Sequence, residues 1–195
     1  MTPDELREDV RAGAVDTVVV GFTDHYGRLM GKRLDAGFFL DVALAAGAHA
    51  CDYLFTVDME MEPVEGYAFA NWSSGYGDVH LVPDLSTLRR CAWGDRTALV
   101  LCDVHDAGHA EVAVAPRSIL RRQVARAAEL GFEVDAASEL EFFLYRDTYR
   151  EAQAKGYAGL EPAGWYVEDY HLLQGARVED YVGAARRALR DSEIP

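Results

Sequence analysis

Ala137-Ser-Glu139-Leu-Glu141-Phe-Phe-Leu-Tyr145 alternates carboxylate with apolar residue, and Phe132 to Ala136 ahead of it is apolar and β-branched enough to extend the run. A period of two predicts a strand, on which Glu139 and Glu141 share one face while Leu140, Phe142 and Leu144 fill the other. Two carboxylates about 7 Å apart along one strand repel unless a cation sits between them. Hard divalent metals prefer carboxylate oxygens, which makes Mg²⁺ or Mn²⁺ the natural filler. The alternative is an amphipathic edge strand whose acidic face is simply solvated.

Ahead of that strand, Pro116 opens a helix with the apolar stripe Leu120, Val124, Ala127 and Ala128, ended by Gly131. Helix followed by strand is how an α/β layer begins. Beyond it, Asp147 to Lys155 reads as helix and Gly156 to Gln174 as irregular and aromatic. Val178 to Arg190 reads as helix with Val178, Tyr181, Val182, Ala185 and Leu189 inward. At the start of the chain, Thr2-Pro3-Asp4-Glu5 carries a cap residue, a first-turn proline and early acids, and Gly13 stops that helix. Val15 to Thr23 and Arg28 to Leu34 form two strands around a turn at Asp24-His-Tyr-Gly27. Asp35 caps a helix whose inner face is expected to be Phe38, Phe39, Val42 and Ala46. The segment to Gly77, rich in Gly, Pro and acids, reads as a long loop, which in a compact domain is more often functional than idle. Asp78 to Val82, stopped by Pro83, and Thr97 to Val104 complete the strands.

Half of the 195 residues are apolar, enough for a core, and no run of apolar residues is long enough to span a membrane. A net charge of −14 repels phosphate backbones and argues against nucleic acid as a partner. Cys51, Cys91 and Cys102 are odd in number and far apart, so neither a disulfide framework nor a zinc site is indicated and a reduced cytoplasm fits.

Several of these segments together carry a resemblance. Glu139-Leu-Glu141-Phe-Phe-Leu144 resembles the metal strand of the glutamine synthetase family. Asp24-x-x-Gly27-Arg28-x-x-Gly31-Lys32-Arg33 is similar to that family's opening hairpin, and Val82-Pro83-Asp84-x-Ser86-Thr87 to its next conserved block. Lys155-Gly-Tyr157 and Pro162-Ala-Gly-Trp-Tyr166-Val-Glu-Asp-Tyr-His171 look like its connecting segment. The resemblance runs through nearly the whole chain in order. It implies an α+β fold: a β-grasp-like amino-terminal domain, residues 1–108, followed by the truncated start of the α/β catalytic domain, residues 109–195. It implies an ATP-dependent ligase that activates the glutamate γ-carboxylate as an acyl phosphate, which an amine then displaces. Mg²⁺ or Mn²⁺ would serve as cofactor, Glu139 and Glu141 would be metal ligands, and stacked rings of identical subunits would be the assembly. The strand expected next, with further metal-binding glutamates, and the nucleotide and glutamate sites would lie beyond residue 195, so the chain reads as the amino-terminal part of a longer enzyme.

Ala70-Asn71-Trp72-Ser73-Ser74 departs from the pattern. It stands where the resemblance places Phe-Asp-Gly-Ser-Ser, whose aspartate helps bind and deprotonate ammonium for the neighbouring subunit. An amide cannot hold a proton taken from ammonium and does not attract a cation as a carboxylate does. The resemblance implies that Asn71, Ser74 and Asp78 face an amine pocket shared with a neighbouring subunit. Trp165 and Tyr166 add aromatic surface able to pack on an alkylamine or its cationic head. Ammonium and a larger amine such as putrescine or ethanolamine both stay open as the acceptor.

Other candidates are weaker. Gly27-Arg-Leu-Met-Gly31-Lys32-Arg33 is one residue short of a phosphate-binding loop and has Arg where Ser or Thr is needed, so it reads as a hairpin. His105 and His109, beside Asp103 and Asp106, read as a surface loop. Arg117, Arg121, Arg122 and Arg126 read as a solvated helix flank or subunit contact. No catalytic nucleophile is recognisable. Two other functional classes remain: a non-catalytic remnant, and a binding or assembly module capping a partner's ring.

Overall fold

Thr2 begins the first helix by a reciprocal cap: its hydroxyl accepts from the Glu5 N–H and the Glu5 carboxylate accepts from the Thr2 N–H. The computed structural model describes residues 1–194. Helix α1 (Pro3–Arg11) leads into strand β1 (Thr17–Thr23), which pairs antiparallel with β2 (Leu29–Asp35). Alternation along β1 buries Val18, Val20 and Phe22. Gly31 lies directly opposite Gly21 in that ladder, at φ +150°, where a Cβ would meet the Val20 carbonyl oxygen at 2.0 Å. Only glycine lets the two strands approach at that point.

The Asp35 carboxylate accepts from the Phe38 N–H, and the expected helix forms as α2 (Ala36–Phe38), a π-helical turn (Phe39–Ala43) and α3 (Leu44–Ala46). Its inner face differs from the expectation. Phe39, Leu40 and Ala43 are buried, whereas Phe38 and Val42 are half exposed. The wide π turn inserts an extra residue into the helical repeat and rotates the next turn about the axis, so the 3.6-residue period picks the wrong stripe.

The region read as one long loop holds a strand, β3 (Ala48–Cys51), and a 3₁₀ turn (Asp52–Phe55). Then come β4 (Asp78–Pro83), the short β5 (Arg89–Arg90) and β6 (Thr97–His105). The sheet order is β2-β1-β6-β4-β3, with β5 pairing β6 off that path. β1 and β6 run parallel and every other pair antiparallel. The inward residues of β1, β4 and β6 pack with Leu6 of α1 and with Phe39, Leu40 and Ala43 in one hydrophobic cluster. The architecture is α+β.

Helix α4 (Pro116–Glu129) forms as expected, but its stripe does not reach a core: Leu120 and Val124 are exposed, and only Ser118 is buried. Helices α5 (Tyr149–Ala154), α6 (Leu172–Gly175) and α7 (Glu179–Asp191) come next, and α5 is capped reciprocally by Thr148 and Glu151. On α7, Val182 is half-buried, Tyr181, Ala185 and Leu189 are exposed, and Gly183 is buried. The chain divides into two compact units, Met1–Val134 with the residues from Ala188 on, and Asp135–Arg187.

The largest correction concerns the stretch around Glu139. Residues 132–144 form no strand. A strand exists only through a neighbour that takes its ladder hydrogen bonds, and the stretch gains one only at its end, in a bridge between Tyr145 and Pro162. Leu140 and Phe142 are 84% and 59% exposed, so the apolar face predicted for this stretch is not buried.

Candidate functional site

The segment between β3 and β4 is a fastened loop. At its base the Asp52 N–H donates to the Gly77 carbonyl at 2.9 Å, and the Gly77 N–H donates to Asp52 Oδ2 at 3.1 Å. Near its start, Val57 and Pro63 form a bridge around a tight turn in which Asp58 Oδ1 accepts from the N–H groups of Glu60 and Glu62. Arg28 holds that turn from the β1–β2 connection. Its guanidinium donates to the Asp58 and Met59 carbonyls at 3.1 and 2.9 Å and to Asp24 Oδ2 at 2.6 Å. Phe69 meets Phe55 edge-on at 5.9 Å, Phe55 packs on Phe22, and Ala70, next to Phe69 in the chain, is buried.

Asn71 and Ser74 come together in this loop. Asn71 Nδ2 donates to the Tyr67 carbonyl at 2.9 Å, Asn71 Oδ1 accepts from the Ser74 N–H at 2.9 Å, and Ser74 Oγ donates to the Asn71 carbonyl at 3.1 Å. Each end of the Asn71 amide thus makes one bond within the loop. Trp72 projects from the turn, 76% exposed, and meets Tyr76 edge-on at 5.2 Å; Tyr76 in turn meets Tyr53 at 6.0 Å. Asp78 opens β4 and is exposed. The Arg28 clamp and the Tyr53–Tyr76–Trp72 column were missed in the sequence. The aromatic residues are visible there, but only the Asp52–Gly77 closure brings positions 53 and 76 together.

Trp165 and Tyr166 lie in the second unit. The Arg177 guanidinium stacks over Trp165 at 3.7 Å from the ring centre. Tyr166 Oη is 3.1 Å from His171 Nδ1 and accepts from Gln174 Nε2 at 2.8 Å.

Glu139 and Glu141 are exposed, on a segment outside helix and strand. Among the described residues no three His, Cys, Asp or Glu side chains are grouped to hold a metal ion. The two glutamates are the right donor type for a hard divalent cation, which takes about six oxygens, and too few to make its site. His49 and His80 stack at 4.9 Å with planes 10° apart, and His109 meets His80 edge-on at 5.5 Å. Parallel stacked rings point their in-plane lone pairs past one another, so they do not converge on one ion, and His80 Nε2 already contacts the Ala46 carbonyl at 2.5 Å.

The remaining chemistry is structural. Arg117 bridges Asp84 and Asp103, and Arg121 bridges Asp103 and Glu111, so half of the basic flank expected on α4 is an ion-pair network. The Ser86 hydroxyl first, with the Ser86 N–H and Arg117 assisting against partial burial, holds the Asp84 carboxyl below its ordinary range. Burial, with Asp103 adding to it, pushes the Cys102 thiol up to about 12, so this sulfur is no nucleophile. An open hollow of about 260 Å³ between β1, β6 and the start of α4 is mostly apolar, and its one cation, Arg117, is already paired.

Comparison with known proteins gives these features a family. Residues 113–190 match the family described as glutamine synthetase, catalytic domain. Gamma-glutamylethanolamide synthetase GlnA4 of Streptomyces coelicolor is 44% identical over 186 residues, 95% of this chain and 40% of the relative. The chain belongs to the glutamine synthetase family. A second relative of this glutamine synthetase-family chain, glutamate–isopropylamine ligase of a Pseudomonas species, is 33% identical over 190 residues, 97% of this chain and 41% of the relative. Among solved structures, ligand-free GmaS superposes with a TM-score of 0.63 at 19% identity, over 94% of this chain and 38% of that one, a likeness of fold. The chain thus spans about 40% of the length of the curated relatives it matches.

Proposed function

We propose that the protein acts as part of an ATP-dependent ligase that joins an organic amine to the γ-carboxylate of glutamate through γ-glutamyl phosphate. The observation that carries this reading is the 44% identity, over 95% of the chain, to a relative named for making gamma-glutamylethanolamide. A second relative named for an organic amine, isopropylamine, agrees with it. The Asn71 geometry supports the same choice of acceptor. A carboxamide carries no charge to attract an ammonium ion and is too weak a base to take its proton, and the Asn71 amide is turned inward to bond the Tyr67 carbonyl and the Ser74 N–H.

In this reading Asn71, Ser74 and Asp78 face the amine bound by a neighbouring copy in a homo-oligomeric ring; Trp165 and Tyr166 offer aromatic surface able to pack on an alkylamine. Glu139 and Glu141 are part of a Mg²⁺ or Mn²⁺ donor set completed from outside residues 1–194. A bound divalent cation supplies positive charge to the anionic phosphoryl and carboxylate groups. The sheet order β2-β1-β6-β4-β3, with a helix between its two hairpins and a parallel central pair, supports a β-grasp-like amino-terminal domain. The start of the catalytic-domain match at residue 113 supports a domain boundary near 108/109. Three free cysteines suit a reducing cytoplasm.

The test is ATP- and glutamate-dependent phosphate release by the protein purified from its native source, with ethanolamine, isopropylamine, putrescine or ammonium as acceptor. Turnover with an organic amine well above that with ammonium is expected. Turnover with ammonium and none with the organic amines would sink the choice of acceptor.

A further inference from the structure

We propose that Trp72, braced by Tyr76, is the residue that selects for the carbon substituent of the acceptor amine. This inference rests on the organic-amine reading of the same loop. Three observations lead to it. First, the turn 71–74 is rigid from within: the Asn71 side chain bonds the Tyr67 carbonyl and the Ser74 N–H, and Ser74 Oγ bonds back to the Asn71 carbonyl. Second, with the amide turned inward to those bonds, Trp72 is the large group this turn presents, 76% exposed. Third, the indole does not hang free. Tyr76 holds it edge-on at 5.2 Å, Tyr53 holds Tyr76 at 6.0 Å, and the column stands on the Asp52–Gly77 closure. A braced, open aromatic face is expensive to leave in water and cheap to cover, because little side-chain freedom remains to be lost on binding.

The chemistry that covers such a face is an alkyl or aryl group attached to a primary amine. Its carbons remove indole surface from water, and its ammonium form, before deprotonation, is drawn to the π-cloud. Ammonium itself offers the indole no carbon surface. Trp72 therefore separates organic amines from ammonium by what it adds to the first, without rejecting the second.

The test uses the full-length protein, comparing wild type with W72G, W72Q and W72F. The readout is kcat/KM for isopropylamine and ethanolamine relative to ammonium. W72G and W72Q are expected to lower the organic-over-ammonium ratio for isopropylamine roughly tenfold, the scale of one to two methylenes of pocket contact. The loss should appear in the KM for the amine, with the KM for glutamate and ATP unchanged, and W72F should keep most of the ratio. If W72G fails to fold, W72Q carries the test. A ratio unchanged in W72G or W72Q overturns the inference while leaving the organic-amine function standing. A wild type that turns over ammonium alone overturns the function itself.

Discussion

Asp24 is 2% exposed and still ionised, because its carboxylate accepts three hydrogen bonds, two at Oδ1 and one at Oδ2 from a guanidinium. Burial by itself raises its carboxyl; the Arg28 guanidinium and the N–H groups of Arg28 and Tyr26 outweigh that and hold it below its ordinary value of 3.8. The same guanidinium reaches on to Asp58 and Met59, so one ion pair closes the hairpin and pins the next loop. Asp24→Asn lets the amide oxygen keep the two N–H groups but leaves the guanidinium facing a neutral NH₂, and is expected to lower stability by about 3 kcal/mol in urea unfolding at pH 7. The sign of the pH dependence comes from a depressed folded pKa. Above 3.8 the unfolded chain is ionised too and the contribution is whole; as pH falls below 3.8 toward the folded value, the unfolded state binds a proton first and the contribution is lost. The wild type should therefore lose more stability than the Asn variant between about pH 5 and pH 2. Equal losses would show that the Asp24 charge is not what holds the turn. The sequence disclosed the turn, through Asp24-x-x-Gly27, but not the reach of Arg28 to Asp58 and Met59, which only the folded loop creates.

At the scale of elements, Gly31 offers the sharpest test of the β1–β2 hairpin. A Cβ there would sit 2.0 Å from the Val20 carbonyl oxygen and 3.0 Å from the Gly21 Cα, both backbone atoms that move only with their strand. Gly27, in the turn at φ +77°, has nothing within 4 Å, so alanine there meets strain alone. Gly31→Ala is expected to destabilise by about 3 kcal/mol and Gly27→Ala by about 1 kcal/mol. Comparable thermal shifts in the two variants would mean that the strands separate easily and that the close approach is not needed. Elements with strong local signals were legible: the Thr2 cap, the β-branched run of β1, Pro83 ending β4, Pro116 opening α4. Those whose identity depends on a distant partner were not. β3 is Ala-His-Ala-Cys, with no β-branched residue, and is a strand only because β4 pairs with it. The reverse failure is the stretch around Glu139, which has the alternation of a strand and, in residues 132–144, no neighbour to make it one.

For the whole molecule, that unpaired stretch decides where the chemistry can occur. Glu139 and Glu141 are exposed, no third metal-ligating side chain among the described residues is grouped with them, and Leu140 and Phe143 beside them in the chain are uncovered. The metal role proposed for them was legible only as a spacing of carboxylates, because the spacing says which atoms are offered and not what completes them. Two carboxylates give a divalent cation at most about four of the six or more oxygens it takes, and on an unpaired segment they must also be ordered by the ion itself. The 195-residue chain alone should therefore bind Mn²⁺ no more tightly than about millimolar, the weak end of carboxylate sites, and release no phosphate from ATP with glutamate and an amine. In the full-length protein, Glu139→Gln and Glu141→Gln should each weaken Mn²⁺ binding at least about tenfold, the usual effect of disturbing a metal's donor set, with the fold retained by circular dichroism. Titration calorimetry on both forms separates the possibilities. Tight binding by the 195-residue chain would mean that it completes a site by itself, and unchanged binding in both glutamine variants would remove the two glutamates from the donor set and leave them a solvated acidic face.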